Sequence, residues 1–595
     1  MAARPSTDTA AMNGLGSKLF LAGDYERAHA YYLLAARDER ALGAQANAGR
    51  CEIRLGRAAD AEARARSLVE TEADFAPGWQ LLGEALTAQR RYAEAAEAFQ
   101  FAVACAPDHA VLHRQLGEVA EKLGQTGQAI AAYERALSLD GGDPTSLRLL
   151  VRIKRRVCDW RGLDELGRRL QACVAAGRLD MSPFDFLVEG SSADVQLACA
   201  RRRAGQLAGI GKLSRTAPVA SHPLGRLRVG FVSHGFGTHP TTLLTTSLFE
   251  ALRESPIEVH LFATNVDPGS APRRRIAAAA HMFHDVADLT TGTLARKIAA
   301  EGIDILFDLD GYNRARMPEV FAYRPCPIQV NWLAYPGSSG APFIDYVIAD
   351  RFVLPELLQR HFSERVAYLP RCFQSSDPTR VVASPPSREA CGLPAQGTVY
   401  VCFNAAFKIN PRSFTRMLRI LAAVEGSVLW LLKDSAAACT NLRAEAFAAG
   451  IDPDRLVFMD KLPHASYLAR YRHADLFLDT EHYNAHTTAS DALWAGCPVL
   501  TRPGETFATR VAGSLNHHLG MDEMNVVDDD AFVDVAVRYG LDAALRTAWR
   551  EKLARRRSEA GLFDMKGFAR DFSALLWRMF EHHRCGGTPV DFPDN

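Results

Sequence analysis

The chain has 595 residues, several times the ~100–200 of a typical domain, so three or four folding units are expected. Lys plus Arg and Asp plus Glu each total 69, a formal charge of zero, which argues against a nucleic-acid binder working through a global positive field. Apolar residues at 48% and charged residues at 23% exclude wholesale disorder. The longest apolar runs, such as Val428-Leu-Trp-Leu-Leu432, fall far short of the ~20 residues that span a bilayer. No apolar leader follows Arg4, and the 12 cysteines contain no CxxC pair. The expectation is a cytoplasmic protein with reduced thiols, associated with neither membrane nor nucleic acid.

The first part of the chain repeats. Glycines at 16, 49, 83 and 117 are spaced 33, 34 and 34 apart, and alanines at 28, 61, 95 and 129 keep the same spacing. Four residues beyond each alanine stand Tyr32, Ala65, Phe99 and Tyr133; three further on stand Ala35, Leu68, Ala102 and Ala136. This pattern resembles the tetratricopeptide repeat, with four copies over residues 9–142. Small Gly and Ala let paired helices approach, aromatics are expected to fill the gap to the next repeat, and stacking builds an α-helical superhelix with a concave side. Such arrays bind polypeptide segments or form homo-oligomers. Residues 143–222 read as a helical connector; its basic Arg201-Arg-Arg203 and the segment Thr216–Pro223 read as solvated helix surface and loop rather than a nucleic-acid patch.

From Leu227 short β-branched runs alternate with helical stretches. Six strands are expected at Leu227–Ser233, Ile257–Thr264, Ile303–Asp308, Ile328–Leu333, Ile344–Ala349 and Val366–Leu369. Five more follow at Thr398–Asn404, Ser427–Lys433, Arg455–Met459, Leu476–Asp479 and Pro498–Thr501. Alternating βα units imply parallel sheets covered on both faces. The break at Ser384-Pro-Pro-Ser387 divides them into two Rossmann-like α/β domains, 223–389 and 390–570, facing a cleft at their strand carboxyl ends, with a final helix and tail over 571–595.

Five segments carry chemistry. Arg228–Pro240 runs a strand into a Gly-rich turn without GxGxxG and places His239 at a βα loop, where an imidazole can take a proton from a hydroxyl or satisfy local backbone. Asp308-Leu-Asp310 has the form of a metal-holding DxD pair, or of strand-end acids capping a turn. Tyr335-Pro-Gly-Ser-Ser-Gly340 offers loop N–H groups to an anion or sugar, or makes a tight turn. Phe403–Pro411 places Lys408 beyond a strand, where an ammonium can neutralise a diphosphate leaving group. Leu478–Gly496 sets Thr487 or Thr488 at a helix N-terminus, a phosphate cradle, with Asp491 able to project from the same face towards a ribose.

In this order and after tetratricopeptide repeats, these segments resemble the O-linked N-acetylglucosamine transferase family, glycosyltransferase family 41, over roughly residues 10–570. The most specific pieces are Gly-Thr-His239-Pro, Tyr335–Gly340, Phe407-Lys408-Ile, His486-Thr-Thr488 with Asp491–Gly496, and Pro503-Gly-Glu-Thr506. The resemblance implies a GT-B fold and an inverting, metal-independent transfer of GlcNAc from UDP-GlcNAc to Ser or Thr hydroxyls of proteins, with no cofactor. By it, His239 matches the base or acceptor-side histidine and Lys408 the lysine on the diphosphate. His486, Thr487 and Thr488 match the phosphate cradle, and Asp491 a ribose contact. Leu462, Pro463 and His464, with Tyr467, Leu468, Ala469 and Arg470, fall where the family holds uracil. Three departures stand out: Ala405 replaces the family's Gln, Tyr467 stands where the family stacks a His on uracil, and asparagine occurs only at 13 and 47 in the repeats, so the Asn ladder that grips peptide backbone is expected to be absent. Protein O-fucosyltransfer from GDP-fucose, a weakly active adaptor and a polysaccharide-assembly enzyme remain alternatives.

Overall fold

The computed structural model describes residues 7–38, 40–207, 209–211, 213, 225–313, 317–559 and 561–594; the Thr216–Pro223 segment lies outside them. The chain forms two compact units, residues 1–154 and 155–595.

In the first unit eight helices, from Thr7–Leu21 to Thr126–Leu139, pair as four antiparallel hairpins, followed by Pro144–Arg156. The repeat glycines allow this close pairing. A Cβ at Gly16, Gly83 or Gly117 would lie within 2.8 Å of the Tyr32, Phe99 or Tyr133 ring. These aromatics therefore fill the gap inside their own repeat rather than the gap to the next one. Where the second repeat has Ala65 instead, Gly49 meets Leu81 of the following repeat.

The first helices also carry a ladder built from two amide types. Asn47 Nδ2 donates to Asn13 Oδ1 at 3.3 Å, and Arg50 bridges Asn47 Oδ1 to Gln80 Oε1 at 3.0 and 2.8 Å. Gln80 Nε2 then donates to Gln115 Oε1 at 2.8 Å, and Gln115 Nε2 to Glu84 at 2.7 Å. Asparagine itself stops at Asn47, as expected from the sequence. Glutamine carries the same amide one methylene further out, and the row continues through it.

The second unit holds two parallel sheets. The first comprises β1 (Leu227–Ser233), β2 (Ile257–Ala263), β3 (Met282–Asp285), β4 (Ile305–Asp308), β5 (Ile328–Asn331), β6 (Tyr346–Ala349) and β7 (Arg365–Tyr368), in the order 3-2-1-4-5-6-7. The second comprises β8 (Val399–Cys402), β9 (Val428–Leu432), β10 (Leu456–Met459), β11 (Leu476–Leu478) and β12 (Val499–Leu500), in the order 10-9-8-11-12. Both orders reverse direction beside their first strand, the switch point at which doubly wound sheets open a crevice at strand carboxyl ends. The strand β3 was not expected from the sequence; it is an edge strand without a β-branched run, and its Met282 is 46% exposed.

Loops from the carboxyl ends of both sheets meet in one apolar cluster: Tyr312 and Tyr335 from the first sheet, Tyr483 and Ala508 from the second, and Leu187 from the connector. The helix Met565–Arg584 returns to the first sheet, with Phe572 against Phe307 and Trp332, and the tail adds Phe592 beside Ala367 of β7. Among the described residues no helix is long and apolar enough to cross a membrane.

Candidate active site

The second sheet supplies most of the site. After β8 a turn (Ala406–Lys408) brings the Lys408 ammonium to the carbonyl of Asn484 at 3.0 Å and over the Tyr483 ring, 3.6 Å from its centroid. Burial pushes Lys408 down to about 8, against the opposing pull of Asp479. The turn is held from two sides: Ala406 N donates to Asp434, and the Cys158 thiol in the connector donates to the Ala406 carbonyl at 3.6 Å.

Asp479, just past β11, organises the loop that follows. Its Oδ1 accepts from Asn404 Nδ2, Thr480 N and Ala485 N, and its Oδ2 from Thr501 Oγ1 at 2.7 Å. Burial raises its carboxyl to about 6. The loop leads into the helix Thr487–Trp494, whose first amide N–H groups lack intrahelical acceptors; the first bond back is Ser490 N to the His486 carbonyl. Thr487, Thr488 and His486 are half-buried there. His486 lies 4.8 Å from the Tyr483 ring and hydrogen-bonds the Ala508 carbonyl. Burial and then the Lys408 charge hold its imidazole well below the ordinary histidine range, so it is neutral.

Asp491, one turn along that helix, is nearly enclosed. Its Oδ1 accepts from Arg380 at 2.6 Å and its Oδ2 pairs with His464 Nε2 at 3.1 Å. The ribose expectation for Asp491 thus meets a carboxylate whose two oxygens already hold Arg380 and His464. The helix His464–Arg470 sorts the remaining expected uracil residues. His464 and Tyr467 are half-buried with near-parallel rings, and the Tyr467 hydroxyl bonds Tyr471 at 2.6 Å. Leu462 is half-buried and Pro463 exposed at the start of this helix. Leu468 and Ala469 face the core at 0% and 1% exposure, and Arg470 reaches Cys391. These three are not brought together with His464 and Asp491, because a helix turns successive residues onto different faces.

On the first sheet His239 caps the helix Pro240–Leu252: its Nδ1 accepts from Thr241 N at 3.2 Å. With the Nδ1 lone pair engaged by a backbone donor, the neutral imidazole carries its proton on Nε2. Asp308 folds onto its own turn, whereas Asp310 ties that turn to the end of β1. Asp308 Oδ1 accepts from the amides of Asp310 and Gly311, while Asp310 accepts from Ser233 Oγ and His234 N. Burial raises Asp308 to about 7. The Tyr335–Gly340 loop is a tight turn as well: Glu364 accepts from Ser338 Oγ and Ser339 N, each at 2.6 Å. Gly340, at φ +64, touches helix Ala193–Gly205, where a Cβ would lie 2.3 Å from Arg201 N. Arg203 of the basic stretch pairs with Asp180.

Asp479, Tyr483 and Arg380 were not picked out from the sequence. Leu333 was also passed over: it follows β5 at φ +88, a strained conformation for a bulky residue. A buried grouping of metal-ligand type, His260, His284 and Glu301, lies on the β2–β3 side. Its two imidazoles lie in nearly parallel planes with Nδ1 and Nε2 facing each other at 3.3 Å, Glu258 holds the far nitrogen of His260 at 2.9 Å, and Glu301 stands 3.7 Å from Nδ1 of His284.

Two Rossmann-like lobes whose strand ends carry an ammonium, a helix N-terminus and a neutral imidazole define a GT-B glycosyltransferase architecture. Residues 157–385 and 377–572 match Glycosyl transferase family 41, and residues 86–153 match the tetratricopeptide repeat. The chain belongs to glycosyltransferase family 41. It is 31% identical over 459 residues to the probable UDP-N-acetylglucosamine–peptide N-acetylglucosaminyltransferase SEC of Arabidopsis thaliana, covering 73% of this chain and 47% of the plant protein. It is 28% identical to the UDP-N-acetylglucosamine–peptide N-acetylglucosaminyltransferase of Caenorhabditis elegans, over 74% of this chain and 49% of the other. It thus spans about half the length of these relatives. The solved structure of a lysine-to-methionine mutant of Thermobaculum terrenum O-GlcNAc transferase superposes with a TM-score of 0.64 at 25% identity, covering 92% of this chain and 99% of that one.

Proposed function

We propose that the protein transfers GlcNAc from UDP-GlcNAc to Ser or Thr hydroxyls of proteins, with inversion and without a metal ion. The observation that carries this reading is the Lys408 ammonium, which among the described residues has no carboxylate within ion-pair distance and stands beside the loop that leads to the Thr487 helix end. Cleaving the glycosidic bond leaves negative charge on the UDP β-phosphate. A preorganised ammonium and the open N–H groups of Thr487 and Thr488 stabilise that charge without reorganising at the moment of reaction. The neutral His486 adds a polar contact there without bringing a second charge.

His464, anchored by Asp491, is the group offered to the ribose, with Tyr467 beside it for the base; Asp491 then acts through His464. His239, with Nε2 protonated by its capping bond, orients the acceptor hydroxyl as a donor rather than taking its proton. The amide ladder of the first unit is the surface offered to an extended polypeptide, whose backbone presents matching donors and acceptors. Homology to proteins named for UDP-GlcNAc–peptide transfer supports the donor and acceptor classes.

Calorimetric titration of UDP, UDP-GlcNAc, UDP-glucose and GDP-fucose into wild type and Lys408→Ala tests the reading. Selective UDP-GlcNAc binding, weakened in Lys408→Ala, is expected, together with transfer of labelled GlcNAc to a peptide mixture. Preference for GDP-fucose moves the protein to fucosyl transfer, and absence of all nucleotide binding leaves an adaptor.

A further inference from the structure

We propose that Tyr483 is a positioning residue that helps keep Lys408 charged without a direct ion pair, by giving the ammonium a ring face where most buried lysines have a carboxylate. The proposal rests on the donor reading of Lys408 above and concerns how this chain keeps that lysine ready.

A buried ammonium has two ordinary ways of resolving its desolvation. It can pair with a carboxylate, or it can give up its proton. Pairing would spend the charge that the donor diphosphate needs, and deprotonation would remove it. Here the ring centroid of Tyr483 lies 3.6 Å from Nζ, a close cation–π approach in which the ring's electron-rich face stabilises positive charge while carrying no formal charge of its own. The Asn484 carbonyl takes one N–H at 3.0 Å, so the ammonium keeps donor capacity for an anion.

The other groups facing Lys408 do not replace the ring. Asp479 lies near enough to act through its field, yet both its oxygens are occupied by Asn404, Thr480, Ala485 and Thr501. Cys402 of β8 is a buried thiol pushed up to about 12, and His486 is neutral. The Asp434 carboxylate, which holds the turn carrying Lys408, is engaged by the Ala406 amide and by Lys461 at 3.2 Å. Tyr483 is itself fixed in place. Its ring meets His486 at 4.8 Å and Phe184 of the connector at 5.9 Å, and it belongs to the cluster in which loops of both sheets meet. The hydroxyl is not needed for this role, so phenylalanine should serve.

The test compares Tyr483→Leu and Tyr483→Phe in the full-length protein by two readouts. The first needs no donor: the rate at which an acylating reagent labels Lys408 from pH 6 to 10, quantified by peptide mass spectrometry, reports the fraction of free amine. The second is the pH profile of transfer. Wild type and Tyr483→Phe are expected to share a midpoint near pH 8. Tyr483→Leu, which keeps the burial and loses the ring face, should shift both midpoints down by about one pH unit, with roughly fivefold faster labelling at pH 7. Tyr483→Met gives the same comparison should the leucine variant melt early. Coincident labelling curves for Tyr483→Leu and wild type overturn the proposal, as does a phenylalanine variant shifted as far as leucine. A labelling shift in a protein that transfers no sugar upholds the ring's hold on Lys408 and removes the donor reading instead.

Discussion

Replacing Asp491 by Asn should damage stability and donor binding through separable routes. The Arg380 and Asp491 side chains are 1% and 6% exposed and meet at 2.6 Å. With the carboxylate replaced by an amide, the Arg380 guanidinium stays buried without a counter-charge; among the described residues its other partners are the Asp377 carbonyl, Ser490 Oγ and the faces of Trp494 and Phe563, all uncharged. Removing one member of a buried pair costs about 3–5 kcal/mol, mostly the desolvation of the charge left behind. For a unit as large as residues 155–595 each kcal/mol moves Tm by roughly 1–2 °C, so Asp491→Asn should melt about 3–10 °C below wild type. Removing both charges in Arg380→Met/Asp491→Leu should restore most of that loss, since no uncompensated ion remains. Calorimetric melting of the full-length protein reads the first effect and UDP titration the second. Asp491→Asn frees His464 from its anchor and should weaken UDP at least tenfold, whereas Arg380→Met, which leaves the Asp491–His464 contact in place, should weaken it less. An Asp491→Asn protein melting within 1 °C of wild type would refute the buried-pair account, and equal UDP losses in the two single variants would refute the route through His464.

Lys408→Met should lower kcat by about 10²–10³ while the fold is retained, as for loss of one preorganised group on developing charge; retained turnover would remove its leaving-group role. Because the ammonium is the working form and its pKa lies near 8, transfer should hold from pH 6 to 7.5 and fall to about one tenth of its plateau at pH 9, measured as a pH–rate profile. A flat profile through pH 9 would contradict it. His239→Ala should cut transfer far more than UDP affinity, and His239→Gln, which keeps a donor, should recover part of the loss; equal effects of the two on turnover would restore the base role. Gln80→Leu with Gln115→Leu should weaken polypeptide acceptors while leaving UDP affinity unchanged in calorimetry, and unchanged KM for a protein acceptor would count against the ladder as an acceptor surface.

The repeat period announced the helical unit because each hairpin must bury the same small-and-aromatic face, and that demand returns every 33 or 34 residues. The eleven expected strands are present because β-branched runs buried on both faces leave a continuous apolar signature, while β3 at the sheet edge is half-exposed and leaves none. Strand ends were read too long where side chains claim the backbone: β11 stops at Leu478 because Asp479 draws the amides of Thr480 and Ala485 out of the ladder.

By itself the sequence determined which chemistry is present and roughly where: Lys408 after one strand, His486 to Thr488 opening a helix, His239 in a βα loop. These are local facts, fixed by the few residues on either side. Tertiary structure decided what each group can do. Asp491 became a partner of Arg380, 111 residues away, and an anchor for His464; the Asp308 carboxylate turned onto its own backbone and Asp310 onto Ser233 and His234; and a ring from the β11 loop settled on the lysine after β8. Charge, tautomer and availability depend on which groups burial brings within a few ångströms, and chain positions a hundred residues apart acquire that relation only when the sheets close around them.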